Sequence, residues 1–165
     1  LTFTVSGVAS GTSVAAVSAD DTTTATTIPF SSIASDTNRT AAQLLHVEGG
    51  SGSGYTVTVQ SDGDLRTSGG GNTVPAFSAT LADNIAARGF GYSLQNVTGS
   101  DAAFAYSTNG FVFASKGFQT TPVTVMSKGS STVTSESYII YRLRVGPTQA
   151  TGTYSNQITY TATTN

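Results

Sequence analysis

The chain of 165 residues contains no cysteine, no tryptophan and one histidine, and only 10% of it is charged. Without cysteine there are no disulfides, no thiolate nucleophile and no zinc knuckle. Seven basic residues against nine acidic ones give a net charge of −2. That excludes the basic footprint of a nucleic-acid binder. The longest apolar runs are short, as at Tyr138 to Tyr141, so no segment is long enough to span a membrane as a helix. Lysine occurs twice (Lys116, Lys128) and glutamate twice (Glu48, Glu136). Leu- and Glu-rich helical stretches are therefore scarce.

What is abundant is serine and threonine, about 30% of the chain, together with 18 glycines. That composition describes short strands joined by turns. Leu1, Phe3 and Val5 alternate with Thr2, Thr4 and Ser6, the period of a half-buried strand. The β-branched run Thr22 to Phe30 reads as a strand that Pro29 confines to an edge or end. Ala41 to Glu48 fits a strand or a short helix. Tyr55 to Gln60 is a strand with Tyr55, Val57 and Val59 on one face, and Asp62-Gly63 marks the turn after it.

Leu81 to Arg88 is the helix candidate, with Thr80 and Asp83 as a capping box and Gly89 as terminator. Asn109-Gly110 predicts a two-residue hairpin setting Tyr106 opposite Phe113. Thr121 to Ser127, Ser137 to Val145 and Gly152 to Thr163 complete the strands; Ile139, Tyr141, Leu143, Ile158 and Tyr160 belong to the core. The expected fold is all-β: one antiparallel β-sandwich domain over residues 1–165, of jelly-roll or Ig-like type, with about ten strands and at most one or two short helices.

The closing stretch Gly152-Thr-Tyr-Ser-Asn-Gln-Ile-Thr-Tyr-Thr-Ala162, the opening Leu1-Thr-Phe-Thr-Val-Ser6, Thr27-Ile-Pro-Phe30, Gly54 to Gln60 and Tyr141-Arg-Leu-Arg-Val145 resemble exported β-sandwich proteins of bacterial cell surfaces, of the kind found in small-genome candidate phyla. The strand-first layout, the high threonine content and the lack of cysteine are also similar to filament subunits of the TasA and camelysin type and to archaeal bundling pilins. The resemblance implies export, a cell-surface or extracellular location, and polymerisation in which an N-terminal strand enters the neighbouring subunit. The start at Leu1, inside a strand pattern, fits a chain whose signal peptide has been removed.

The candidate sites follow. Leu1, Phe3, Val5 and Val8 would be the apolar anchors of a donor strand spanning residues 1–8, the subunit interface of a homopolymer. Asn38 and Asn96 head Asn-X-Thr triplets and are candidate glycosylation acceptors. His46 shares one face with Leu44 and Glu48 and is expected to face solvent or to be locally hydrogen-bonded. Glu48 and Glu136 are the only glutamates, and nothing in the sequence places them together as a hydrolytic pair. Asp20-Asp21 and Asp62-Gly-Asp64 fit turn chemistry better than a calcium loop. Lys116 and Lys128, each beside a glycine, read as solvated rather than as cross-linking lysines.

On these grounds no catalytic residue, no metal and no cofactor are expected. The function expected is a structural subunit of an extracellular filament or pilus whose partner is itself. The alternative is a monomeric cell-surface adhesion module binding a glycan or protein through its loops.

Overall fold

The computed structural model describes residues 1–14, 16–49, 52, 54–78, 82–83, 85–98, 114–130 and 134–165. Its strands in chain order are β1 Thr2–Gly7, β2 Ser13–Val14, β3 Val17–Ser18, β4 Arg39–Glu48, β5 Tyr55–Ser61, β6 Leu65–Thr67, β7 Thr73–Val74, β8 Ala82–Asp83, β9 Gly89–Thr98, β10 Ala114–Ser115, β11 Val123–Lys128, β12 Thr134–Arg144, β13 Tyr154–Ser155 and β14 Ile158–Thr164. The long ones form two antiparallel sheets, β1-β4-β12-β9 and β11-β5-β14. The protein is an all-β sandwich.

Alternation builds the core. Along β5 every odd residue from Tyr55 to Ser61 is buried and every even one is half-exposed. Leu45 and Val47 of β4, Leu94 of β9, Ile139 and Tyr141 of β12 and Val57 and Val59 of β5 meet in one cluster, with Ile158 and Tyr160 of β14 packed against it. Phe118 stacks on Tyr92 at 4.4 Å and on Phe90 at 5.4 Å between ring centroids. A smaller cluster lies on the other side of the four-stranded sheet. There the β2–β3 hairpin places Val14 and Val17, with Val8, over Ala42 and Ile140.

Several expectations need correction. Leu81 to Arg88 is not a helix: Ala82–Asp83 pairs with Ala114–Ser115, Ile85 and Ala86 lie in a turn, and Gly89 opens β9 at φ 146° instead of ending a helix. Two turns of weak helical pattern lose to a strand partner. Thr22 to Phe30 is not a strand, because its side chains replace ladder bonds. Thr23 Oγ1 accepts from Val8 N and donates to Ala42 O, and Thr24 Oγ1 accepts from Thr26 N and Thr27 N. Asp62-Gly63 lies in a bend as expected, with no hairpin behind it: Leu65–Thr67 pairs with Tyr154–Ser155 and Thr73–Val74. The closing strand is interrupted at Asn156 and Gln157, where Asp62 takes the Gln157 N–H at 2.9 Å. The Asn109-Gly110 hairpin lies outside the described residues, apart from Ala114–Ser115.

Candidate functional site

The order of the two sheets puts β1 and β14 on the same side of the sandwich. β1 is bonded only to β4, and β14 only to β5, among the described residues. Phe3 of β1 meets Tyr160 of β14 at 6.2 Å between centroids. Behind them a buried polar chain joins the sheets. Tyr160 Oη lies 2.7 Å from Tyr141 Oη, Tyr141 Oη donates to Gln43 Oε1 at 2.6 Å, and Gln43 Nε2 donates to Thr24 O at 2.6 Å. Burial raises the Tyr141 and Tyr160 hydroxyls well above the ordinary tyrosine range.

The predicted donor residues divide at this edge. Phe3 and Val5 face the core, half-buried, in register with Val47 and Leu45. Leu1 is 45% exposed and precedes the strand. Val8 does not continue the strand's apolar face. It belongs to the cluster on the opposite side of the sheet, and its N–H and C=O are both held by Thr23. Gly7, just before it, approaches the Thr23–Thr24 main chain so closely that a Cβ would overlap it. The edge strand itself is therefore Thr2–Gly7, and Val8 anchors its end.

The open part of the four-stranded sheet's outer face carries a second arrangement. His46, the only histidine, sits between the only two glutamates. Its Nδ1 is 3.0 Å from Glu136 Oε1, and its Nε2 is 3.9 Å from Glu48 Oε2. Cross-strand register brings these groups together, since His46 opposes Glu136 and Glu48 opposes Thr134. Period-2 reading puts His46 with Leu44 and Glu48; the strand pairing that brings in Glu136 is not legible from it. Among the described residues no group of three or more His, Asp or Glu side chains is arranged to hold a metal ion.

Five aspartates among the described residues are held by hydrogen bonds within the chain. Asp21, 6% exposed, takes both the Nε and Nη2 of Arg39 (2.9 and 2.7 Å) and the Ser31 hydroxyl. Asp20 accepts from Thr40 N at 2.7 Å. Asp62 pairs with Arg66, and Asp64 accepts from Ala76 N at 2.9 Å. Asp36 is held by Arg88 and Arg144. Asn38 has its amide engaged at both ends, Nδ2 on Ile85 O at 3.0 Å and Oδ1 under Arg142 Nη1 at 2.8 Å. A glycan there would displace the first of these bonds. The Asn96 side chain lies outside the described residues. Burial pushes the Lys116 ammonium below the usual lysine range.

A pH prediction follows from the arginine pairs. Hydrogen bonds from Arg39, Arg88 and Arg66 hold Asp21, Asp36 and Asp62 below the ordinary carboxylate range. A lowered folded-state pKa contributes stability above the unfolded value, about 3.9, and loses it as the pH falls through the folded value. Thermal midpoints should be flat with respect to these three groups above about pH 5 and fall below pH 4. The Asp21→Asn variant should show a shallower acid limb by circular dichroism. An unchanged limb would remove Asp21 from this account.

Comparisons with protein-family models, curated proteins and solved structures return no match for this chain.

Proposed function

We propose that the protein is a structural subunit of an extracellular or cell-surface filament, a homopolymer assembled by exchange of β1 between neighbours. The observation that supports this reading is the placing of β1. It is an edge strand with a single ladder, six residues opposite six of β4. Phe3 and Val5 are on its inner side, and its exit is pinned at Val8. In the single chain β1 closes its own sheet, so donation is an exchange: the same strand leaves one β4 and pairs with another. The ladder and the apolar packing given up within one subunit are made again in the next, and a head-to-tail exchange propagates as an open filament. Burial of Phe3 and Val5 is worth at most about 1.5–3 kcal/mol each, enough to hold either pairing.

Negative-stain microscopy of the purified chain is the direct test. Fibres are expected, and a chain lacking residues 1–7 should form none, remaining a destabilised monomer whose thermal midpoint rises when a Leu1–Gly7 peptide is added. Persistence of fibres after the truncation would refute strand exchange.

A second reading rests on the outer face carrying Leu44, His46, Glu48 and Glu136, which the β2–β3 hairpin leaves open. There the protein is a monomeric surface module binding a glycan or protein. A chain that stays monomeric at all concentrations, with no fibres, selects it.

A further inference from the structure

We infer that β14 is a self-recognition edge: a second copy of this chain adds its β14 antiparallel to the first, centred on Thr161, and joins two three-stranded sheets into one of six strands. This goes beyond β1 exchange and does not depend on it.

The four sheet edges are not treated alike. An exposed strand edge is a template for another chain, and proteins blunt it with charge, proline, a bulge or a cover. On the far side of the sandwich both edges are blunted. Pro122 precedes β11, its register shifts between Thr124 and Met126, and Lys128 ends it. β9 is covered: Tyr92 exchanges main-chain bonds with Lys116 at 2.9 and 2.8 Å, and Phe90 does so with Phe77 and Pro75. Among the described residues β14 has none of these devices. Its ladder with β5 runs without a shift from Ile158 to Thr164, and it contains no proline or glycine. Residues 145–165 carry no charged side chain, and neither do residues 1–19, which supply the neighbouring edge.

The sequence of β14 fits its own copy. Antiparallel pairing centred on Thr161 sets Thr161 against Thr161, and Thr159 against Thr163 of the second copy. On the outer face this extends the threonine rows that β14 already forms with Thr56 and Thr58. On the inner face it sets Tyr160 against Ala162 of the second copy and Ala162 against its Tyr160, large against small both times. A shift by one residue would turn inner side chains outward. A shift by two would set Tyr160 against Tyr160, two rings already tied to Tyr141. Like residues face each other only where they are uncharged, so no repulsion opposes the pair. Tyr160 bonded to Tyr141 holds the strand preformed, which lowers the ordering cost of association.

The chain's lack of cysteine makes the register directly testable. In the full-length Thr161→Cys variant, opposed Cα atoms about 4.5–5.5 Å apart fall within disulfide reach. Mild oxidation should give a covalent dimer, while Thr124→Cys on β11 should give none. Sedimentation velocity of the unmodified chain should show a concentration-dependent dimer. T161K should weaken it about tenfold or more, by placing two lysines opposite each other. T161E should do the same, and mixing the two variants should restore the dimer. Residue 161 is exposed, so these variants should keep the wild-type circular dichroism spectrum. A wild-type chain that stays monomeric into the millimolar range overturns the proposal, as does a T161K variant that dimerises like wild type. So does a dimer in which Thr161→Cys fails to cross-link. Fibres are scored separately on grids: fibres that persist in T161K, with the solution dimer gone, leave β1 exchange standing and confine β14 to the dimer. A dimer without fibres does the reverse.

Discussion

Replacing Tyr141 by alanine is expected to destabilise the sandwich by about 3–5 kcal/mol, the range for removing a large buried aromatic. The ring is fully buried between the sheets. It stacks beside Phe118 at 6.1 Å and Phe90 at 6.5 Å, so its loss leaves a cavity that these two packed rings cannot fill. The hydroxyl adds a separable part. Tyr141→Phe keeps the ring but leaves Gln43 Oε1 and the Tyr160 hydroxyl without their shared partner, a desolvation cost of about 1–3 kcal/mol. Chemical denaturation of the two variants should therefore give two distinct midpoint shifts with the same slope, the alanine shift being the larger. Spectroscopic titration supplies an independent check. Burial holds the Tyr92, Tyr141 and Tyr160 hydroxyls above the ordinary tyrosine range, so these three should ionise only as the alkaline chain unfolds. If Tyr141→Phe proves as stable as wild type, the polar chain through Gln43 is not holding the sheets together.

That chain shows where sequence reading succeeds and where it stops. Period-2 alternation locates β5, β12 and β14 and puts Tyr55, Val57, Val59, Ile139, Tyr141 and Tyr160 inside, because a strand with one face in the core must alternate. Alternation says nothing about which strand lies beside which. The pairs His46–Glu136 and Tyr141–Gln43 join residues 90 and 98 apart in sequence, and strand order alone brings them together. Side-chain competition is also invisible. Thr22 to Phe30 has the composition of a strand, yet the Thr23 and Thr24 hydroxyls bond main-chain N–H groups of the kind a ladder uses. Val8 is apolar like Phe3 and Val5 and reads as a fourth anchor, but its even position puts it on the opposite face, and it packs in the cluster there. Of the candidate site, the alternating strand Thr2–Gly7 is legible and its neighbour β14 is not. Two uncharged ends of a sequence become one surface only once β1 and β14 are known to share a side.

Among the described glycines, Gly54→Ala is expected to be the most damaging single methyl. Two independent costs meet at this residue. Its φ is +81°, a left-handed conformation that costs an L side chain about 1–2 kcal/mol. The added Cβ would also fall on the carbonyl of Lys128 at the end of β11. Backbone on a sheet edge moves only by disturbing the ladder between β5 and β11, which pairs Lys128 with Tyr55. Overpacking of that kind costs about 1–3 kcal/mol more. Together the expected loss is about 2–5 kcal/mol, or roughly 4–20 °C in thermal midpoint for a domain of this size. Gly49 separates the two costs. Its φ is +67°, but nothing lies within 4 Å of its built Cβ, so Gly49→Ala should lose only the conformational part, about 1–2 kcal/mol. Differential scanning calorimetry of the two variants gives the difference directly. Equal losses would mean that β11 can move away from Gly54 at little cost, and that the defended edge of the three-stranded sheet is softer than its bulge and proline imply.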